Sequence, residues 1–281
     1  MISWWESIIL GIVEGVTEFL PVSSTGHLTI VENLLGHPVN APTVTAYTAI
    51  IQVGAMLASI VYFWSDIVRI ARAWFAGLAN KHKRKADYHL GWAIIVGVAV
   101  TAVVGLLLKD LIEGPLRSMW FVAAGLILWS VAMYVADRIR FDRGEDSITW
   151  KDGLLLGLFQ SIALIPGVSR SGATIAGAMF LKIDRVTATR MSFFLGIPTL
   201  IAAGGLQAVT KFDQIGAAGG VGWGATIIGT VVSGIVAYLS IAWLLKFVSS
   251  NNFNWFVIYR GPWHPDRPRP GFRSDRRGIA E

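Results

Sequence analysis

The chain has 281 residues, of which 54% are hydrophobic and only 15% charged, against about 25% charged in soluble domains, and its mean hydropathy is +0.57. That balance excludes an ordinary cytosolic globule, and it excludes a disordered segment, which would be poor in apolar residues and rich in net charge. Without cysteine there is no disulfide scaffold, cysteine-ligated metal or thiol catalysis, and the +6 charge, carried by loops and the C-terminal tail, fits positive-inside topology better than nucleic-acid binding.

The first apolar segment begins at once. Met1 to Trp5 has no basic n-region and Pro21-Val22-Ser23-Ser24 no small-residue cleavage site, so the segment is expected to stay in the mature protein. It runs from Trp5 to Leu20, breaks at Pro21 to Gly26 and resumes from His27 to Leu35. Spans of about one bilayer follow at Ala46 to Trp64, Gly91 to Leu108 and Met119 to Ala136. A second broken stretch runs from Gly153 to Ile165, meets Pro166 to Gly172 and resumes to Leu181; two more spans cover Met191 to Val209 and Trp223 to Leu244. From Phe247 another apolar segment starts, reaches Tyr259 and changes abruptly to an Arg- and Pro-rich sequence. Codons for Trp263 to Pro270 read one nucleotide later can spell an apolar run, so a frameshifted tail over 261–281 is the expectation.

A helix broken by Pro, Gly and hydroxyl residues frees backbone groups that lipid cannot satisfy, so each break must be buried in protein or face a wet cavity. Both broken stretches therefore read as re-entrant helical hairpins. Gly11, Glu14, Ser23, Thr25 and Gly26 match Gly157, Gln160, Ser169, Ser171 and Gly172 at one offset, which is an internal repeat. Basic residues at 69–85, at 138–151 and at 182–190 mark three cytoplasmic loops. Three spans between the hairpins then make the repeats inverted, with the tips meeting near mid-membrane, where inverted-repeat proteins place substrate sites. The expected fold is one all-α polytopic membrane domain over 1–260, with about five full transmembrane helices and a truncated last one. Repeat one covers about 1–136 and repeat two about 150–260.

Four groups at the breaks carry chemistry. Glu14 and Glu18 share a helical face, and carboxylates inside a membrane are functional candidates unless they are bonded to backbone at the break. Ser23, Ser24 and Thr25 can cap the following half-helix, whose N–H groups favour anions. The i, i+3 spacing of Ser24 and His27 lets imidazole activate a hydroxyl or a water. At the second tip Arg170, among Ser169, Ser171 and Thr174, suits bidentate binding of phosphate oxygens, or a buried ion pair with Glu14 or Glu18 when the site is empty. Together they describe a pocket for a phosphorylated ligand. A divalent cation, Mg²⁺ or Ca²⁺, held by Glu14 and Glu18, would relieve the repulsion between carboxylates and phosphate.

The run from Glu14 to His27, EGVTEFLPVSSTGH, and the run from Pro166 to Thr174, PGVSRSGAT, closely resemble the undecaprenyl-pyrophosphate phosphatase (bacitracin-resistance protein) family over about Trp4 to Arg260. The resemblance implies a multi-pass bacterial plasma-membrane hydrolase with an extracytoplasmic site, converting the C55 polyprenyl diphosphate lipid to its monophosphate for peptidoglycan synthesis. It places Glu14 and Glu18 on the acidic motif, Ser24 and His27 on the nucleophile and base, and Arg170 on the phosphate-binding arginine. The resemblance also implies a final apolar helix beyond the Tyr259-Arg260 position, where this sequence turns Arg- and Pro-rich. A homodimer is compatible with it and no nucleic-acid partner is expected. The rival is a transporter or flippase of a phosphorylated lipid, since inverted repeats with broken helices also serve alternating access.

Overall fold

The computed structural model describes residues 2–38, 41–113, 119–210 and 221–260. The tail from 261 lies outside them. Among the described residues every regular element is helical apart from one parallel bridge between Arg143 and Ile183. Helix α1 (Trp4–Thr17) starts at a reciprocal cap: Glu6 Oε2 accepts the Ser3 N–H at 2.6 Å, and Ser3 Oγ accepts the Glu6 N–H at 3.4 Å. After the break comes α2 (Ser24–Leu34). The same cap, built from Thr149 and Asp152, opens α8 (Trp150–Ile162), and a second break leads to α9 (Arg170–Phe180). Both breaks place a serine in the left-handed region, Ser23 at φ 75° and Ser169 at φ 68°. For a residue with a side chain that conformation costs of order 1 kcal/mol, so both turns are held by their surroundings.

Among the described residues four helices are long and apolar enough to cross a membrane: α3 (Pro42–Tyr62), α5 (Ala86–Leu107), α10 (Arg185–Thr210) and α11 (Trp223–Val248). The fifth expected span, α7 (Met119–Ala136), is a shorter apolar helix. Three short helices lie where loops or unfinished spans were expected: α4 (Trp64–Ala79), α6 (Lys109–Glu113) and α12 (Asn254–Arg260). In α4, Asp66, Arg69 and Arg72 lower the average hydropathy and mask an apolar face on which Gly77 lies against the ring of Tyr88.

Glycines set the closest approaches. A Cβ on Gly11 would meet the Gly229 carbonyl at 2.6 Å, and one on Gly15 the Ser233 carbonyl at 2.6 Å, so α1 runs beside α11 in the same direction. Likewise Gly153 faces Ala93 and Gly157 faces Gly97, so α8 runs beside α5 in the same direction. The three basic segments come together at one end of the bundle. Arg69 bonds Glu145 at 2.9 Å, Arg190 bonds Glu145 at 2.7 Å and Asp66 at 2.8 Å, and Arg143 holds Asp152 at 2.8 Å. Asp137 joins this end, bonding Arg185 at 2.6 Å and accepting the Phe253 N–H at 3.0 Å; burial raises its carboxyl above the usual range despite Arg185. Helix α5 starts at this end, through Arg69 and Asp87, whereas α11 finishes there, just before Phe253.

Candidate functional site

The two breaks meet. Glu18, one residue past α1, receives Arg170 Nη2 on Oε1 at 3.1 Å, and Ser171 Oγ donates to the Leu20 carbonyl at 3.0 Å. A carboxylate 6% exposed and an arginine from the second broken helix thus form the pair that sequence reasoning gave as an alternative for Arg170. Glu18 Oε2 accepts Ser24 Oγ at 2.7 Å and Gln52 Nε2 at 3.4 Å. These donors satisfy both oxygens. The second guanidinium nitrogen, Nη1, reaches the Ser192 carbonyl at 3.4 Å, while Arg170 Nε is buried with no partner among the described residues. That donor is unspent and points to an acceptor a ligand would bring.

The pair borders a pocket of about 170 Å³ lined by Ser23, Ser24, Thr25, Gln52, Ser169 and Arg170, among others. Not every expected residue contributes a free group to it. Ser169 Oγ accepts the Gly172 N–H at 3.3 Å, and Thr174 Oγ1 donates back to the Arg170 carbonyl at 3.0 Å. Ser171 is spent on Leu20. These hydroxyls shape the second turn, while Ser24 and the exposed Thr25 face the ligand space.

The expected Ser24–His27 contact is not made. Ser24 donates to Glu18, and His27 Nδ1 lies 2.8 Å from the carbonyl of Ser23, one helical turn back. His27 Nε2 lies 2.8 Å from the hydroxyl of Tyr259. Glu14 is 1% exposed, and its Oε1 has no donor among the described residues. A hard divalent cation or a proton would satisfy that oxygen, so the residues fit a cation at Glu14 while Glu18 is already bonded. No group of three or more His, Asp or Glu side chains suited to a metal occurs among the described residues, so a ligand's own oxygens would have to complete the coordination.

Three contributors escaped sequence reasoning. Gln52 is a lone amide in an apolar span, a signal that was available. Gly196 has none, yet a Cβ there would land on Arg170 Nη1, so the glycine makes the room that the guanidinium occupies. Tyr259 lies 232 residues from His27.

Long apolar helices around a small polar pocket define the class: a multi-pass helical membrane protein. Within that class the chain belongs to the bacitracin resistance protein BacA family, which matches residues 7–262. It is 58% identical over 265 residues to an undecaprenyl-diphosphatase of Cutibacterium acnes, covering 92% of this chain and 93% of that one. Similar relatives are undecaprenyl-diphosphatase 3 of Frankia casuarinae, 54% identical with 91% and 92% covered, and undecaprenyl-diphosphatase 1 of Streptomyces avermitilis, 53% identical with 91% of each covered.

Proposed function

We propose that the chain hydrolyses undecaprenyl diphosphate to undecaprenyl phosphate and phosphate in the bacterial plasma membrane, regenerating the lipid carrier of cell-wall synthesis. Family membership and the printed activity of relatives at 53–58% identity support the reaction. The observation that carries the mechanism is the junction of Ser24 Oγ, Glu18 and Arg170 at the pocket. A pocket of about 170 Å³ is smaller than the roughly 300–1,000 Å³ of sites that enclose whole ligands, so it takes the diphosphate head and leaves the isoprenoid in lipid.

Arg170 turns from Glu18 to the terminal phosphate, offering Nε and Nη2 as a fork. Ser24 Oγ attacks the terminal phosphorus as its proton passes to Glu18 Oε2, the bond from phosphorus to the bridging oxygen breaks, and undecaprenyl phosphate leaves. His27, one turn along α2, takes a proton from the water that attacks the phosphoserine, the proton on Glu18 Oε2 returns to Ser24 Oγ as its bond to phosphorus breaks, and phosphate leaves. Glu14 and Glu18 would hold Mg²⁺ or Ca²⁺ together with phosphate oxygens; such an ion supplies neutralisation of charge on the diphosphate.

The two broken helices are read as inverted re-entrant hairpins. In support, α1 follows α11 toward the basic end while α8 follows α5 away from it. With that end cytoplasmic, the first hairpin enters from the extracytoplasmic side, to which the site opens. Both tips belong to one chain, so a homodimer is not needed to complete the pocket.

The test is phosphate release from undecaprenyl diphosphate by purified protein in detergent, wild type against Ser24→Ala. Release by the wild type and its loss in the variant are expected. Well-folded wild type that binds the lipid without releasing phosphate would overturn the reading in favour of a lipid transporter, which needs no nucleophile.

A further inference from the structure

Resting on the reading of His27 as the base for water, we propose that Tyr259 is its positioning residue, holding the plane of a neutral imidazole whose proton the Ser23 carbonyl keeps on Nδ1 and whose lone pair is on Nε2. The hydrogen-bond roles follow from the partners. A carbonyl only accepts, so Nδ1, 2.8 Å from the Ser23 oxygen, carries the proton. Neutral imidazole has one N–H, so Nε2 is the acceptor and the Tyr259 hydroxyl, 2.8 Å away, donates to it. The two rings are stacked with 8° between their planes and 5.5 Å between centroids, which fixes the imidazole plane.

Packing does not explain the contact. Tyr259 is 65% exposed, so its ring fills no core. Nor can α2 supply the hydroxyl's role itself, because the residues one turn beyond His27 are Ile30 and Val31. The donor instead comes from α12, which is anchored where it begins: Phe253 and Phe256 are buried, and the Phe253 N–H is held by Asp137. A short anchored helix therefore delivers one phenol to one ring nitrogen. During turnover the water to be activated replaces the hydroxyl on Nε2, while the stacked ring keeps the imidazole plane in place; Tyr259 touches no substrate.

The experiment uses the full chain in detergent with ¹⁵N-labelled histidine, at a pH of about 8.5, where an unperturbed imidazole is neutral. Wild-type His27 should show a protonated Nδ1 and a hydrogen-bonded, unprotonated Nε2, and Tyr259→Phe, which keeps the ring and removes the hydroxyl, should shift the Nε2 resonance to that of an unbonded nitrogen while Nδ1, held by the Ser23 carbonyl, stays protonated. In phosphate release, Tyr259→Ala, which removes the stacked ring, should lower kcat about 10-fold with KM within about twofold, and Tyr259→Phe should restore most of that loss. In a His27→Ala background Tyr259→Ala should have no further effect. A protonated Nε2 in the wild type, an Nε2 resonance unmoved in Tyr259→Phe, an unchanged kcat in Tyr259→Ala, or losses that multiply in the double variant would overturn the proposal. If the wild type releases no phosphate, the hydrolase reading fails by itself, and the Nε2 resonance of wild type against Tyr259→Phe still decides whether Tyr259 holds the ring.

Discussion

The two broken helices share a backbone plan and differ in the chemistry mounted on it. Both open with a reciprocal cap, Ser3 with Glu6 and Thr149 with Asp152, and both turn on a left-handed serine, Ser23 and Ser169. Both lay glycines against a neighbouring helix, Gly11 on Gly229 and Gly157 on Gly97. At matching positions, however, the first carries Glu14, Glu18 and Ser24 and the second Gln160, Leu164 and Arg170. Even the caps differ: Ser169 accepts an N–H of its own helix, while Ser23 makes no side-chain cap bond. The lesson is a division of labour. One backbone device used twice opens two turns into the interior, and opposite charges on the two copies let the turns meet as an ion pair rather than repel.

The largest test of that comparison removes the charge of the second turn. Arg170→Ala should lower phosphate release about 10³-fold, because it deletes the phosphate donors and leaves Glu18 buried without its cation; an activity within a few-fold of wild type would break the assignment. Next, Gly196→Ala leaves every charged group in place but puts a methyl where Arg170 Nη1 lies. It should cost about 10²-fold in kcat/KM, by displacement of a binding group, and loss of the folded protein instead would locate the fault in packing.

Glu14→Gln gives the first broken helix the residue that its counterpart carries. An amide is tolerated at Gln160, so the variant should fold, lose about 10-fold in activity and respond less to chelator than the wild type. Undiminished restoration by Mg²⁺ or Ca²⁺ after chelation would move the cation away from Glu14. Gln160→Ala asks the reverse question. Gln160 Nε2 donates to Thr101 at 3.1 Å and Thr199 at 3.0 Å, so its loss should cost about 1–2 kcal/mol of stability with kcat retained, read by unfolding in detergent. The smallest contrast compares the caps: Ser169→Ala should destabilise by about 1 kcal/mol and Ser23→Ala by less, and equal losses would erase the difference between the two turns.

Sequence reasoning reached the breaks because Pro21 and Pro166, with their hydroxyl neighbours, interrupt apolar runs that are otherwise continuous. It reached Glu14, Glu18 and Arg170 because charge inside such runs is costly and so conspicuous. It erred where hydropathy was averaged: α4 was hidden by its own charged face, and the apolar stretch after Phe247 is cut at 249–253 before α12 begins. The i, i+3 rule put Ser24 and His27 on one face, yet each took a better partner that the rule cannot see.

By itself, then, the sequence determined the apolar helices, the two interruptions and the residue types displayed there, since periodicity and the cost of burying charge are local properties. Only the tertiary structure decided the partnerships: Glu18 with Arg170, Ser24 with Glu18, Gln52 beside them, Gly196 beneath Arg170 and Tyr259 on His27. Those contacts depend on how α1, α3, α9, α10 and α12 pack as a set, and no residue spacing along the chain encodes the distance between side chains brought together from separate helices.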